Sequence, residues 1–219
     1  MKVLLFILFS YGLNGQPIGI FEAVSDSDYQ IYYDNYDKLI DTFDRSSEHG
    51  DIMAEIIGRD MDIHSVSFSF FADKNDFSNP QDFAHMLSDG IDSLVISGCR
   101  HILMAWGINR KSMMRYDFYN WTSWLSNIES TVRAKAREYN AVTFVIAAGN
   151  DGRDVIASKS SPANINDLDN VHVVGSSDDY SSTGDHLYEA DGNYKEHEGT
   201  SISAAKYLRK LYEADKSRK

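Results

Sequence analysis

Short apolar runs alternate with longer amphipathic segments along most of this chain. Runs of this length, rich in β-branched and aromatic residues, predict buried strands, and there are five of them: 17–22 (PIGIFE), 65–71 (SVSFSFF), 100–106 (RHILMAW), 141–148 (AVTFVIAA) and 170–176 (NVHVVGS). Between several of them, apolar residues recur at every third or fourth position, which predicts amphipathic helices. These positions are Ile52, Ile56 and Ile57; Phe83, Leu87, Ile91, Leu94 and Val95; and Trp124, Ile128, Val132, Ala136 and Tyr139.

Strands that alternate with helices predict a three-layer α/β domain, with a mostly parallel sheet between helices on both faces. The long polar stretches 23–48 and 177–199 are rich in Asp, Ser, Tyr and Gly. We expect both to be surface loops within one domain. In such sheets, functional residues lie at the carboxyl ends of the strands.

The N-terminal segment has the pattern of a short signal peptide. Residues 1–15 place one lysine before the apolar run VLLFILF, and small and polar residues follow. This pattern predicts a secreted or periplasmic protein with a mature domain over 16–219. The alternative is a buried first strand, because a central parallel strand has the same composition. The run is too short to span a bilayer.

Charge and cysteine content exclude several classes of partner and site. The chain has 219 residues, with 21 Lys and Arg against 33 Asp and Glu and a net charge of -12. That charge disfavours binding to nucleic acid and to anionic membranes. Cys99 is the only cysteine, so neither an intrachain disulfide nor a structural zinc site built on several cysteines is expected.

Four residues at predicted strand ends or helix starts carry candidate chemistry. Glu22 ends PIGIFE, His49 precedes Gly50 at a helix start, Asn150 follows FVIAAG, and Ser201 opens the last helix in EGTSISAAK. A serine needs a base to become a nucleophile, and a neutral imidazole can take its proton. A side-chain amide and the N–H groups of a helix start stabilise a developing oxyanion.

In this order, the segments resemble the blocks of the subtilisin-like serine peptidases. HGDIMAEII is similar to HGTHVAGII, AAGNDG to AAGNEG, SSPANINDLDNVHVVGSSDD to YPA…NVIAVGA, and EGTSISAAK to NGTSMASPH. The resemblance runs from about Pro17 to Tyr212. It implies a serine endopeptidase acting on peptides or proteins through an acyl-enzyme on Ser201, with His49 as base and Asn150 as oxyanion donor.

The resemblance also implies a substrate cleft. RHILMAWG is similar to the family strand DVINMSLG, which pairs with the substrate backbone. By this comparison Ala105, Trp106 and Gly107 line the subsites before the scissile bond. Ala147, Ala148 and Gly149 form a wall of the first specificity pocket.

The chain departs from the family pattern at three points. Glu22 stands where the family has Asp, and Asp26 and Asp28 are the alternative acids. Ala205 replaces a proline, and only 51 residues separate Asn150 from Ser201. These departures leave two alternatives open: a catalytically impaired homologue that binds peptides, and a non-enzymatic doubly wound interaction domain.

No metal or cofactor is assigned by the sequence. The histidines other than His49 lack a shared spacing of metal ligands such as HExxH. Acidic residues suited to calcium occur at Asp26, Asp28, Asp34, Asp37, Asp178 and Asp179, without an EF-hand pattern. The aromatic stretch 106–124 is expected to be a loop that either packs on the domain edge or covers the cleft.

Overall fold

The structure is a computed structural model, and it describes residues 16–23, 48–58, 61–68, 80–110, 121–185 and 187–218. A six-stranded sheet has the order β2-β1-β3-β4-β5-β6, and every neighbouring pair is parallel. Its strands are β1 (Ile18–Ala23), β2 (Ile63–Phe68), β3 (His101–Met104), β4 (Thr143–Ala147), β5 (Val171–Gly175) and β6 (Tyr188–Glu189). A separate antiparallel pair joins β7 (Asn193–Tyr194) to β8 (His197–Glu198).

Helices cover both faces of the sheet, which confirms the predicted three-layer architecture. They are α1 (Glu48–Ile57), α2 (Pro80–Ile96), α3 (Trp121–Glu138) and α4 (Thr200–Ser217). Side chains alternate along the central strands: Ile102 and Phe144 pack in the core with α2 and α3, whereas Leu103 and Val145 pack with α1 and α4. Each central strand is therefore buried on both faces, which explains its continuous apolar sequence.

The observed strands are shorter than the predicted runs in the middle of the sheet. Pairing of β3 with β4 ends at Met104 opposite Ile146. Ala105 and Trp106 follow the strand and are both buried. Their apolar character reflects burial rather than ladder pairing, so the hydrophobic pattern alone extended the strand too far.

Residues 177–199 are not a plain loop as expected. They contain the two-residue strands β6, β7 and β8, and β6 extends the main sheet. The ring of Tyr188 in β6 stacks on His172 of β5, with centroids 4.6 Å apart. Two residues carry no readable alternation, so the sequence pattern could not reveal these strands.

The expected aromatic loop ends earlier than 124. Helix α3 starts at Trp121, and Trp124 packs against Phe83 of α2 with ring centroids 5.7 Å apart. Both tryptophans thus belong to the helical layer. The intervening positions 111–120, the proposed signal peptide 1–15 and most of the stretch 23–48 lie outside the described residues.

No helix in the described part of the chain is long and apolar enough to cross a membrane.

Candidate active site

Glu22 is held at the end of the first strand by packing around its neighbour Phe21. The Phe21 ring lies so close to α2 that a Cβ on Gly90 would come within 2.3 Å of it. On its other side the ring lies 6.2 Å from that of Trp106, centroid to centroid. Glu22 pairs in register with Ser67 and is only 2% exposed. Its carboxylate is therefore presented from a rigid, buried strand end.

His49 joins Glu22 to Ser201. It is the second residue of α1, and its Nδ1 lies 2.9 Å from Oε1 of Glu22. Its Nε2 lies 3.1 Å from Oγ of Ser201. Because a carboxylate can only accept, Nδ1 carries the proton in this contact, and Nε2 of the neutral ring accepts from the serine hydroxyl.

The environment of His49 favours its protonated form. Burial by itself lowers the pKa of the imidazole, but the hydrogen bond and the negative charge of Glu22 raise it by more. The pKa therefore lies above the ordinary value of 6.5. The side chain remains 42% exposed, so the ring is in part accessible to solvent. Such a group can accept a proton and release it again near neutral pH.

Asn150 is oriented by Thr200, the residue before Ser201. The backbone N–H of Thr200 donates to Oδ1 of Asn150 at 2.9 Å, and the Thr200 hydroxyl lies 3.0 Å from the same oxygen. The same hydroxyl accepts the N–H of Gly149 at 3.0 Å. Since a backbone N–H can only donate, the amide has one orientation, with Nδ2 turned away from Thr200 as a donor.

Gly199 leaves open space beside these groups. It adopts φ +154°, and a Cβ at this position would lie 3.2 Å from Nδ2 of Asn150 and 3.5 Å from Oγ of Ser201. The helix α4 then begins at Thr200. Ser201 thus lies in the first turn, where helical N–H groups have no intrahelical partner and favour negative charge. The site combines a base, a hydroxyl and donors for an oxyanion.

A comparison with protein-family models identifies the family of this chain. The model of the subtilase family matches residues 10–207, which is most of the chain. The chain belongs to the subtilase family. Subtilases are serine peptidases, and the parallel sheet with helices on both faces is their fold.

Solved structures of subtilases share this fold. A lanthipeptide protease matches with a TM-score of 0.54 and 14% identity, over 90% of this chain and 72% of that one. The prenylagaramide maturation protease PagA matches with a TM-score of 0.54 and 19% identity, over 92% and 77%. The nisin leader peptidase NisP from Lactococcus lactis has a TM-score of 0.51 and 14% identity, over 91% and 77%. No curated protein matches the sequence.

The expected substrate-binding residues of this subtilase lie at the carboxyl ends of β3 and β4. Ala105 and Trp106 are buried, and Gly107 after them is exposed. On the other segment Ala147 and Ala148 are buried and Gly149 is partly exposed. Both segments start at the carboxyl ends of adjacent parallel strands, the edge from which Glu22 also projects. The structure thus places all six residues at the carboxyl edge of the sheet.

Sequence reasoning missed the residues that hold the turn around Asn150. Ser182 donates its N–H to the carbonyl of Gly149 at 2.8 Å, and its Oγ accepts the N–H of Asp151 at 3.4 Å. Ser182 is 2% exposed. Thr200 could have been identified from the sequence, because it lies inside the EGTSISAAK segment that resembles the family. Ser182 could not, since its role depends on two segments that meet only in the folded chain.

Neither the acid alternatives nor most of the calcium candidates can be placed. Asp26, Asp28, Asp34 and Asp37 lie outside the described residues. Asp178 accepts hydrogen bonds from the hydroxyls of Ser176 and Tyr180. Within the described ranges, no three His, Cys, Asp or Glu side chains come together as a metal site.

Proposed function

We propose that this subtilase is a serine endopeptidase that hydrolyses peptide bonds through an acyl-enzyme on Ser201. The observation that carries the proposal is the continuous hydrogen-bonded line from Glu22 through His49 to Ser201, with contacts of 2.9 and 3.1 Å. A nucleophile within reach of a base, and a base oriented by a third group, is the arrangement that acyl transfer requires.

In the first half of the reaction, Nε2 of His49 removes the proton from Ser201 as Oγ attacks the scissile carbonyl. Glu22 stabilises the imidazolium that forms. Nδ2 of Asn150 and the N–H of Ser201 donate to the oxyanion of the tetrahedral intermediate. His49 then gives its proton to the leaving amine, and the acyl group stays on Ser201.

In the second half, water takes the place of the amine. His49 removes a proton from the water as its oxygen attacks the acyl carbon, and the same donors stabilise the second oxyanion. Collapse of this intermediate breaks the ester bond, and the proton on His49 returns to Ser201. Peptides and proteins are the proposed substrates, in line with the similar structures, which are named as a maturation protease and a leader peptidase.

Covalent labelling with a fluorophosphonate probe tests this function directly. The probe phosphonylates only an activated serine, so the wild-type chain should label, with the adduct on the peptide that contains Ser201. Ser201→Ala should not label, and His49→Ala should label much more slowly. Ser203→Ala is the matched control, because Ser203 is fully buried on the same helix, two residues further on.

The outcomes distinguish an active serine peptidase from the non-catalytic alternatives. Labelling that persists in Ser201→Ala would refute the nucleophile. A folded wild-type chain that neither labels nor hydrolyses a casein substrate would instead support a peptide-binding homologue without catalysis.

We further propose that residues 1–15 are a signal peptide and that the enzyme is exported. The charged start and the short apolar run support this. Mass spectrometry of the folded protein recovered from an expressing cell should find an N terminus between Gly12 and Pro17. An intact Met1 on the active enzyme would contradict export by cleavage.

A further inference from the structure

A cavity of about 520 Å³ lies between α3 and the connection from β4 to β5. Ligand sites in proteins have volumes of roughly 300–1,000 Å³, so this cavity is large enough to hold a few side chains of a peptide. Its apolar lining comes from Trp121 and Leu125 of α3 and from Ile156, which is 52% exposed. Its described lining residues include none of the proposed catalytic residues and none of the six expected substrate-binding residues. The cavity is therefore distinct from the site described above.

A network of ion pairs forms a polar wall of this cavity. Arg133 of α3 donates to both carboxylate oxygens of Asp167, at 2.6 and 2.7 Å, and to Glu129 at 3.3 Å. The other oxygen of Glu129 accepts from the amide of Asn164 at 2.7 Å. Each charged group of this wall thus has a partner and needs no ligand to neutralise it. Recognition of a charged ligand falls to the remaining cation in the described lining, Lys159.

Two cations lie over the indole ring of Trp121. The guanidinium of Arg110 lies 5.1 Å from the ring centroid, and the ammonium of Lys159 lies 5.8 Å from it. Within the described residues neither cation makes an ion pair, although the chain carries a net charge of -12. The aromatic face stabilises each cation without neutralising it. The ring therefore holds two positive charges beside an apolar surface, where both can contact one short acidic segment.

Lys159 is carried by a turn whose backbone is fixed by hydrogen bonds. Its N–H donates to the carbonyl of Ile156 at 3.1 Å, and the N–H of Ser160 donates to the carbonyl of Val155 at 3.0 Å. Oδ1 of Asp154 accepts the N–H of Ile156 at 3.0 Å. Lys159 adopts φ +52°, a left-handed conformation that is uncommon for a residue with a side chain. Such a turn presents its cation with little backbone entropy left to lose on binding.

Ser161 connects the cavity to the expected substrate-binding segment. It lines the cavity, and its backbone forms an isolated antiparallel bridge with Ile108, with N–H to carbonyl distances of 2.9 and 2.8 Å. A Cβ on Gly107 would lie 3.4 Å from the carbonyl oxygen of Ser161. Arg110 follows Gly107 by three residues. A peptide that is bound along 105–107 and continues in the direction of Arg110 therefore approaches the cavity.

We propose that this cavity is an auxiliary binding site for an acidic segment of the protein substrate. Aliphatic side chains of the segment pack on Trp121 and Ile156, and its carboxylates pair with Arg110 and Lys159. Charge complementarity selects this occupant, because two cations without acidic partners favour an anionic ligand. The inference rests on the proposed peptidase function and names a feature of its substrate. Since residues 105–107 are expected to bind the residues before the scissile bond, the acidic segment precedes that bond.

Binding is tested without catalysis, by calorimetry on the full chain carrying Ser201→Ala. The probe is an acetylated peptide of alternating glutamate and leucine, and its control has glutamine in place of each glutamate. At low salt the control should bind about tenfold more weakly, because it cannot pair with the two cations. Added salt should weaken binding of the glutamate peptide, since partly exposed charge pairs are screened.

Variants in the same background assign the binding to the cavity. Lys159→Gln and Arg110→Gln should each raise Kd for the glutamate peptide about fivefold, as expected for one partly exposed charge pair. Ile156→Ser should raise Kd for both peptides about threefold, because it removes exposed apolar surface. Lys210→Gln is the matched control. It makes the same change of charge at an exposed position of α4, which packs on the other face of the sheet, and it should leave Kd unchanged.

Kinetics on the active enzyme tests whether the ligand is a substrate. A fluorogenic peptide with the acidic segment before its cleaved bond should have a KM about fivefold lower than the same peptide without the segment. Its kcat should be unchanged, because the distant contact is equal in the ground state and the transition state. Lys159→Gln should abolish this difference and leave the constants of the unextended peptide unchanged.

Four results would overturn the proposal: equal affinity for the glutamate and glutamine peptides, no effect of Lys159→Gln and Arg110→Gln, an equal effect of Lys210→Gln, or a KM that falls only when the segment follows the cleaved bond. Vesicles of phosphatidylglycerol that bind through the same two cations, without binding of the peptide, would assign the cavity to a membrane surface instead.

Fluorophosphonate labelling separates the two levels of inference. If the wild type does not label, the peptidase function fails and the substrate role of the segment fails with it, while calorimetry still decides whether the cavity binds acidic peptides. If the wild type labels and the Ser201→Ala chain binds neither peptide, the peptidase function stands and this inference alone is refuted.

Discussion

Oε1 of Glu22 lies 2.9 Å from Nδ1 of His49, a normal hydrogen-bond distance. The glutamate side chain makes direct contact with the imidazole. Glu22 projects from the end of β1, where its neighbour Phe21 packs tightly against Gly90. The carboxylate is thus presented to His49 from a tightly packed strand end.

Glu22 is expected to be essential for turnover, and turnover is expected to depend on the length of its side chain. Glu22→Gln removes the charge that stabilises the imidazolium and should lower kcat by about 10⁴-fold. Glu22→Asp shortens the side chain by about 1.5 Å and should also lower kcat, because the contact with His49 then opens. Steady-state kinetics on one peptide substrate measures both. Increased hydrolysis by Glu22→Asp would mean that the natural site is a weakened one.

Asp26 and Asp28 provide the control for this assignment. Asp26→Asn and Asp28→Asn should leave kcat within about threefold of the wild type, as for residues outside the triad. Loss of activity in either variant, together with unchanged activity in both Glu22 variants, would assign the acid to the following loop.

The pH profile should report the raised pKa of His49. The base must be neutral to accept the proton of Ser201, so kcat/KM should fall as the pH drops through the pKa of His49. Because Glu22 holds that pKa above 6.5, the acidic limb should have its midpoint above pH 6.5. Glu22→Gln removes the negative charge and leaves only a weaker, neutral acceptor for Nδ1–H, while the burial that lowers the pKa remains. The limb of its residual activity should therefore move to lower pH, and an unchanged midpoint would contradict the role of Glu22.

Thr200 is expected to act through Asn150. Thr200→Val removes the hydroxyl that contacts Oδ1 of Asn150 and accepts from Gly149. It should lower kcat about tenfold with little change in KM, because the oxyanion donor loses its orientation. Thr200→Ser keeps the hydroxyl and should restore most of the activity.

A double-mutant cycle separates this role from a structural one. Asn150→Ala alone should lower kcat by about 10²–10³-fold. In that background, Thr200→Val should have little further effect, since the group that it orients is gone. Additive losses would show that Thr200 acts independently of Asn150.

Gly199 is expected to tolerate no side chain. Gly199→Ala places a Cβ 3.2 Å from Nδ2 of Asn150 in a backbone conformation of φ +154°, so fluorophosphonate labelling should be lost. Gly98→Ala is the matched control. Gly98 also has a positive φ of +94°, but the nearest atom to its Cβ is 3.6 Å away on Pro17. Equal losses of labelling in two folded variants would attribute the effect to backbone strain alone.

Local patterns along the chain were sufficient to predict the layers of the fold and to name the candidate site residues. The apolar runs and the 3.6-residue spacing predicted the strands and helices because each element buries its own characteristic positions. The resemblance of the segments around His49, Asn150 and Ser201 predicted a shared site. In the structure His49 lies 3.1 Å from Ser201, and Asn150 contacts the neighbouring Thr200, while the catalytic roles of these residues stay a prediction. The predicted end of β3 was wrong because Ala105 and Trp106 are buried without ladder pairing. The strands within 177–199 were missed because two residues carry no readable alternation.

The sequence by itself determined the fold class and the order of the segments, and it predicted the candidate site residues, since these depend on local composition, spacing and motif. Only the tertiary structure decided that Glu22 reaches His49, that Thr200 and Ser182 hold the turn at Asn150, and that Lys159 lies over Trp121. Each of these contacts joins residues far apart in the chain, and its geometry depends on how two strand ends or a loop and a helix pack together. Distances of this kind are set by the packed core, which no short stretch of sequence contains.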